Sequence, residues 1–258
     1  MPSFPRCLTA LPVFNEAKHV DSVLDLVVQH ADHVLVVDDG STDGTSERLA
    51  QRQDVQVLTH PHNRGYGAAL KTAFEEAIRQ RYDVLVTIDC DGQHEPQLIR
   101  TLIDQCGKPC QHGPDIVSGS RYLDTTLDTQ LAPADRRRVN RTITAELNER
   151  FSLNITDAFC GFKAYRVASL PKLHLTEAGY AMPLELWVQA AHHGLSVTEV
   201  VVPLIYLDEE RRFGGTLDDT ATRLDYYRRV IDRAAAGLPA TVETDPTSYS
   251  LSATLFCE

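Results

Sequence analysis

The sequence predicts an α/β protein built on a mostly parallel sheet with helices on both faces. Two observations predict it. Short apolar runs alternate with longer segments of helical periodicity through the first 120 residues, the pattern of a parallel sheet whose crossovers are helices. Polar clusters also follow the apolar runs directly: Asn15 and Glu16, then 38–43 with Asp38, Asp39 and Asp43, then 89–94 with Asp89, Asp91 and His94. In an open parallel sheet the ligand crevice lies outside the carboxyl ends of the strands, so these clusters converge on one edge.

The elements follow in order. Residues 8–13 are the first strand, an apolar run that closes on Pro12 and Val13. The stretch 16–30 sets Val20, Val23, Leu24, Val27 and Val28 at helical spacing. Residues 33–37 are the second strand, ending at Asp38 and Asp39, and Ser41 or Thr42 is placed to cap a helix reaching about residue 51. A third strand over 55–58, a helix over 65–80 and a fourth strand over 84–88 come next, the last ending at Asp89. Pro96 suits the first turn of a helix over 96–106, and 116–118 is a fifth strand. After Ser120 the pattern changes: 123–135 is polar and irregular, 136–151 a helix with a basic start, 159–165 a strand, 183–193 a helix and 195–202 a strand. A charged loop over 208–216 precedes an amphipathic helix over 218–236, and the Thr-, Ser- and Pro-containing tail 237–258 reads as mobile.

Composition narrows the function classes. The chain has 258 residues, 43% hydrophobic and 24% charged, with a formal charge of −11. That acidic balance argues against broad nucleic-acid binding, which needs a basic surface. The six cysteines, Cys7, Cys90, Cys106, Cys110, Cys160 and Cys257, form no CxxC pair and no zinc spacing, as expected of reduced thiols. No window approaches the ~20 apolar residues of a membrane span, and the N-terminus lacks a signal-peptide core. The expectation is a cytoplasmic protein, soluble or peripheral at the cytoplasmic membrane face.

Asp89-Cys90-Asp91 carries the central chemistry. Two carboxylates two residues apart at a strand end reach one hard cation, and Mg²⁺ or Mn²⁺ completes such a site with waters and substrate phosphates; Gln93 offers a carbonyl oxygen. Asp39, at the end of the neighbouring strand, suits hydrogen bonding to a ribose or a base edge, while Asp43 and Thr45 suit capping. The run 62–67, Asn63 and Gly65 included, opens a helix closely enough for a phosphate or base, with a tight loop as the equal alternative.

Together these residues resemble the family-2 glycosyltransferases of the GT-A fold, with its Rossmann-like sheet, in the branch of dolichyl-phosphate mannose synthase and bacterial polyprenyl-phosphate sugar synthases. The resemblance spans nearly all of 8–216. It rests on Pro12 to Glu16 (Phe14 where the family usually has Tyr), 37–45, 63–67, 89–94, Gly119-Ser120-Arg121, Asp157 with Cys160-Gly161-Phe162-Lys163, Gly179-Tyr180, Glu185 and 211–215. It implies a nucleotide-binding part over 1–120 and an acceptor part over 121–217 of one domain. It implies that Pro12, Phe14, Glu16, Asp39 and Asp89 line the nucleotide pocket and that Asp89, Asp91 and Gln93 hold Mg²⁺ or Mn²⁺. Asp91, Arg121 and Arg212 would be catalytic, with Arg121, Arg212 and one of Arg137 or Arg138 meeting phosphates.

The implied reaction moves a hexose, with inversion, from a GDP-mannose- or UDP-glucose-type donor to a polyprenyl or dolichyl phosphate. One departure leaves the acceptor open. The family loop ends in Gly-x-Ser-Lys, whereas Thr216 stands for Ser here and the Lys is absent. A soluble hydroxyl acceptor is the alternative, and it would need a base for which Glu185 and Asp157 are the candidates. A nucleotidyltransferase is disfavoured because 12–16 lacks a Gly-rich basic loop. The 218–236 helix, with Leu224, Tyr227, Ile231 and Ala234 on one side and Arg223, Arg228, Arg229 and Arg233 nearby, serves either to pack on its own domain or to touch anionic lipid. A membrane-anchored partner would do the latter equally well.

Overall fold

Parallel strands buried on both faces read as continuous apolar runs whose successive residues enter two different cores. The computed structural model describes residues 5–107, 113–124, 126, 133–205 and 219–238. Within them β1 (Cys7–Val13), β2 (Val34–Asp38), β3 (Gln56–Thr59), β4 (Val84–Thr87), β5 (Ile116–Ser120), β6 (Lys163–Arg166) and β7 (Val197–Val201) form one sheet in the order β3-β2-β1-β4-β6-β5-β7. All pairings are parallel except those of β6 with β4 and β5. The helices are α1 (Val20–Val27), α2 (Thr45–Leu49), α3 (Tyr66–Arg79), α4 (Ile99–Cys106), α5 (Ala134–Phe151), α6 (Met182–His192) and α7 (Thr220–Ala236). Leu8, Ala10, Leu35, Val37 and Leu85 face one core with α3, α5, α6 and α7. Leu11, Val13, Val34, Val36 and Val86 face the other with α1 and α4. The mostly parallel, two-faced sheet is the one the sequence predicts.

Local departures have local causes. The first helix starts at Val20, not at residue 16, because the amides of Glu16 and Ala17 donate to Thr45 Oγ1 (2.9 Å) and Asp43 Oδ2 (3.1 Å) in a preceding turn. Ser41 and Thr42 do not cap α2: Ser41 Oγ accepts from Asn15 N (3.0 Å) and Thr42 N donates to Asn15 Oδ1 (2.8 Å). Asp43 does the capping, accepting from Thr45 N at 3.1 Å, and α2 shrinks to five residues. The strand expected over 159–165 begins only at Lys163 and runs against its neighbours.

The C-terminal helix α7 packs on its own domain. Tyr227, Val230, Ile231 and Ala234 are buried in the core shared with α5 and α6, and Leu224 packs against it. Its arginines meet acids of this chain: Arg223 with Asp135 (3.0 Å), Arg228 with Glu146 (2.5 Å), Arg233 with Glu177 (2.5 Å), and Arg229 with Asp225 one turn earlier (3.3 Å). Of the two roles the sequence left open for this helix, packing is the one its apolar face fulfils. No helix among the described residues is long and apolar enough to cross a membrane. Ile231 is fully buried, so Ile231→Ala is expected to cost about 2–5 kcal/mol through lost transfer energy and a residual cavity. Denaturant melts will show it, and a cost below about 1 kcal/mol would mean that α7 is not docked in solution.

Candidate active site

Because six strands run the same way, the ends of β1, β2, β4 and β5 open on one edge. A cleft of about 510 Å³ lies there, bounded on its far side by α5, α6 and α7. It is centred where β1 is flanked by β2 on one side and β4 on the other, the switch point at which open α/β sheets place ligands. Pro12, Phe14, Glu16, Asp39 and Asn63 line its β2 end.

Asp39 is the hub of that end. Its amide donates to Val13 O (2.8 Å), tying the tip of β2 to the tip of β1. Its carboxylate accepts from Gly65 N (2.7 Å), from Arg64 N (3.0 and 3.1 Å to its two oxygens) and from His60 Nδ1 (2.5 Å). The loop can wrap so closely because Gly65 has φ +101°, and a Cβ there would stand 2.4 Å from Ala178 O. Asp39 is therefore a wall residue whose side chain is only 2% exposed.

Asp89 and Asp91 sit at the middle of the cleft, just past β4. Tyr66 Oη donates to Asp89 Oδ1 (3.0 Å), and His94 Nε2 stands 3.3 Å from Oδ2, so both oxygens are aimed. Burial pushes the Asp89 carboxyl up, but the His94 and Tyr66 hydrogen bonds and the charge of buried Lys163 outweigh it and leave the carboxyl below its ordinary range. Asp91 Oδ1 accepts from Gln93 N at 3.0 Å, which fixes the turn at the cleft. Among the described residues no group of three His, Cys, Asp or Glu forms a complete metal cage. The donor set is two carboxylates and an amide oxygen, hard ligands suited to a divalent cation that takes its remaining ligands from water and phosphate.

Gly161 shows how tightly this centre is moulded. A Cβ at that position would fall 2.2 Å from Asp89 Oδ2 and 2.7 Å from Oδ1. Gly161→Ala is thus expected to displace the Asp89 carboxylate and lower the activity of this site by roughly a hundredfold, the cost of about 1 Å of misplacement in a reacting centre, while the fold persists. Wild-type rates in a folded Gly161→Ala protein would show that the position of Asp89 does not matter.

The α5 end of the cleft is basic. Arg121 follows β5, and its Nε and Nη2 grip the two oxygens of Asp157 at 2.7 and 2.9 Å, with Nη1 outside that pair. Arg136 and Arg223 also line this end, with Tyr122, Phe159, Tyr227 and Leu204. Among the described residues the carboxylates lining the cleft are Glu16, Asp39, Asp89 and Asp91, all at its β2 end or centre. Neither base candidate is available. Asp157 is fully buried and held by Arg121 and Asn140 Nδ2 (2.7 Å). Glu185 is 4% exposed and accepts from the amides of Thr176 (2.9 and 3.0 Å) and Glu177 (2.7 Å).

The sequence profile of Glycosyl transferase family 2 matches residues 9–173. This chain belongs to that family. The polyprenol monophosphomannose synthase of Mycolicibacterium smegmatis is 34% identical over 218 residues, 80% of this chain and 78% of that one. The undecaprenyl-phosphate mannosyltransferase of Micrococcus luteus is 29% identical over 231 residues, 85% of this chain and 92% of that one. Among solved structures, glucosyl-3-phosphoglycerate synthase from Mycobacterium tuberculosis, crystallised with Mn²⁺, UDP-glucose and phosphoglyceric acid, superposes with a TM-score of 0.69 at 18% identity, covering 92% of this chain and 81% of that one. At that identity the likeness shows the GT-A fold alone.

In this glycosyltransferase, Pro12, Phe14, Glu16, Asp39, Asp89, Asp91, Gln93 and Arg121, all singled out from the sequence, line one cleft. Arg212, with the rest of the 208–217 loop, lies outside the described residues. The basic start of α5 contributes Arg136, whereas Arg137 and Arg138 are not among the lining residues. Helical spacing carries that signal: Arg136 lies three and four residues before Val139 and Asn140, which line the same cleft. Arg223 was missed as a cleft residue, and Tyr66 and Tyr180, whose rings stack with centroids 5.7 Å apart, were named only within the motifs 62–67 and 179–180, without a role of their own. Their partners are distant in sequence, and only the fold brings them in.

Proposed function

We propose that this glycosyltransferase moves a hexose from a nucleoside diphosphate sugar, of the GDP-mannose or UDP-glucose type, to a polyprenyl phosphate, with inversion in one displacement. The observation that carries the reading is the polarity of the cleft among the described residues: acidic at the β2 end and centre, lined by three arginines and no carboxylate at the α5 end. A hydroxyl acceptor needs a base to take its proton, and the two candidates, Asp157 and Glu185, are consumed by structural hydrogen bonds. A phosphate monoester arrives ionised, and arginine forks match it. The names of the mannosyl-transferring relatives point the same way.

In this reading Pro12, Phe14, Glu16 and Asp39 enclose the nucleoside, and Asp89, Asp91 and Gln93 hold Mg²⁺ or Mn²⁺. When bound, that cation neutralises charge on the departing diphosphate. Arg121, Arg136 and, from the 208–217 loop, Arg212 orient the acceptor phosphate. One of its oxygens attacks the anomeric carbon as the bond from that carbon to the β-phosphate oxygen breaks, and the nucleoside diphosphate leaves. The acceptor is a lipid, so the enzyme works at a membrane surface, reached by faces other than the buried stripe of α7.

The donor half of the reading is tested by thermal shift. Saturating GDP or UDP with Mn²⁺ should raise the melting temperature, since ligand at 100 times its Kd adds about 2.7 kcal/mol of stability. No shift with either nucleotide, with or without metal, would contradict it.

A further inference from the structure

The sequence singled out Asp39 but gave no role to His60, the residue just past β3. His60 is 7% exposed at its side chain and both ring nitrogens are engaged. Nδ1 lies 2.5 Å from Asp39 Oδ1, and Nε2 lies 2.9 Å from Thr72 Oγ1 on α3. A carboxylate can only accept, so Nδ1 carries the proton toward Asp39 and Nε2 faces the Thr72 hydroxyl. The His60 amide continues the β2–β3 ladder by donating to Asp38 O (2.8 Å), so the backbone is fixed as well. The ring is thus a strut between the tip of β2 and α3, meeting at Asp39 Oδ1 the same carboxylate that the Arg64 and Gly65 amides hold.

The two backbone donors hold both Asp39 oxygens but leave some freedom about χ2, a broad torsion. A third, charge-assisted hydrogen bond from a buried ring removes that freedom. We propose that His60 is a positioning residue for nucleotide binding: it sets the plane of the Asp39 carboxylate, and through the Arg64 and Gly65 amides the path of the 62–65 loop that carries Asn63 into the cleft. The inference rests on the donor reading above and adds to it a residue that lies behind the cleft wall. His60 does not line the cleft, so it acts only through Asp39 and this loop.

The test is calorimetric binding of UDP and of GDP in Mn²⁺ to the full chain, with wild type, His60→Leu, His60→Asn and Thr72→Val. Asparagine places an amide N–H close to where Nδ1 stands; leucine offers none. His60→Leu should weaken the nucleotide that wild type binds by roughly tenfold, within the range for losing a hydrogen bond to a charged group. His60→Asn should restore most of that loss. Thr72→Val should weaken binding in the same direction by a smaller factor, and it remains informative if His60→Leu does not fold. In turnover, the loss in His60→Leu should appear in KM for the donor, with kcat within a factor of about two, the mark of binding common to ground and transition states. Wild-type affinity in a folded His60→Leu or, should that protein not fold, in Thr72→Val overturns the proposal, as does a His60→Asn protein no better than His60→Leu. A wild-type chain that binds neither nucleotide overturns the donor reading itself, a result distinguishable from either.

Discussion

Asp91→Asn is expected to lower sugar transfer by roughly a thousandfold, the scale seen when a group that meets developing charge is removed, without unfolding the protein. Asparagine keeps an oxygen that can accept from Gln93 N, the bond that shapes the turn at 3.0 Å, so the backbone has no reason to move. It loses the negative charge, and with it affinity for a hard divalent cation. Manganese titration followed by electron paramagnetic resonance separates the two effects: wild type should bind the ion in the presence of UDP or GDP, and Asp91→Asn far more weakly. Asp89→Asn should behave alike, with an added cost, because its oxygens are also set by Tyr66 and His94. Unchanged activity in Asp91→Asn, or full activity of wild type in excess EDTA, would remove these carboxylates from the chemistry.

Arg121→Ala should damage both stability and turnover. The Asp157 side chain is fully buried, and its carboxylate is gripped by the Arg121 fork and by Asn140. Removing the arginine leaves that charge without its cation, a change that costs about 3–5 kcal/mol for a buried pair. Burial raises the Asp157 carboxyl, but the charge and hydrogen bonds of Arg121, with help from Asn140, outweigh it and hold the group at about 2. A depressed carboxyl stabilises the fold above its unfolded value of about 3.9. This contribution, on the order of 2–3 kcal/mol, is therefore complete at neutral pH and is lost as pH falls from about 4 toward 2. In Arg121→Ala the raising effect of burial is no longer offset, so the buried charge destabilises the fold at neutral pH and its protonation relieves that cost: the melting-temperature deficit of the variant against wild type should be largest near neutral pH and shrink as pH falls. Arg121→Lys should not restore turnover, since a point charge cannot hold Asp157 with two bonds and also face a phosphate. Coincident acid melts of wild type and Arg121→Ala would show that the ion pair is not formed in solution.

How much was legible depended on whether the cause was local. The strands β1, β2, β4 and β5 were legible as apolar runs, and each is followed within three residues by a polar residue that lines the cleft: Glu16, Asp39, Asp89 and Arg121. The reversal of β6 was not, because a four-residue run carries no sign of direction; its register against Thr87 and Ser118 comes from the sheet. The shortening of α2 was hidden because Ser41 and Thr42 are good caps in isolation, yet Asn15, 26 and 27 residues away, takes them for a turn. Asp39 was legible as a cleft residue, but its saturation by His60 and the Arg64 and Gly65 amides was not. Likewise Asp157 and Glu185 looked available as bases in the sequence, and only the fold shows them consumed.

The central claim is transfer to an ionised lipid phosphate in a cleft whose described residues offer no base at its acceptor end. The most direct measurement follows labelled hexose from GDP-mannose and from UDP-glucose, in Mn²⁺, into the organic phase with polyprenyl phosphate or the matching polyprenol as acceptor. The account predicts a hexosyl phosphate lipid of inverted anomeric configuration from one of the donors, abolished by EDTA, and no product on the alcohol. Transfer to polyprenol or to a soluble hydroxyl compound, with polyprenyl phosphate left unused, would contradict it.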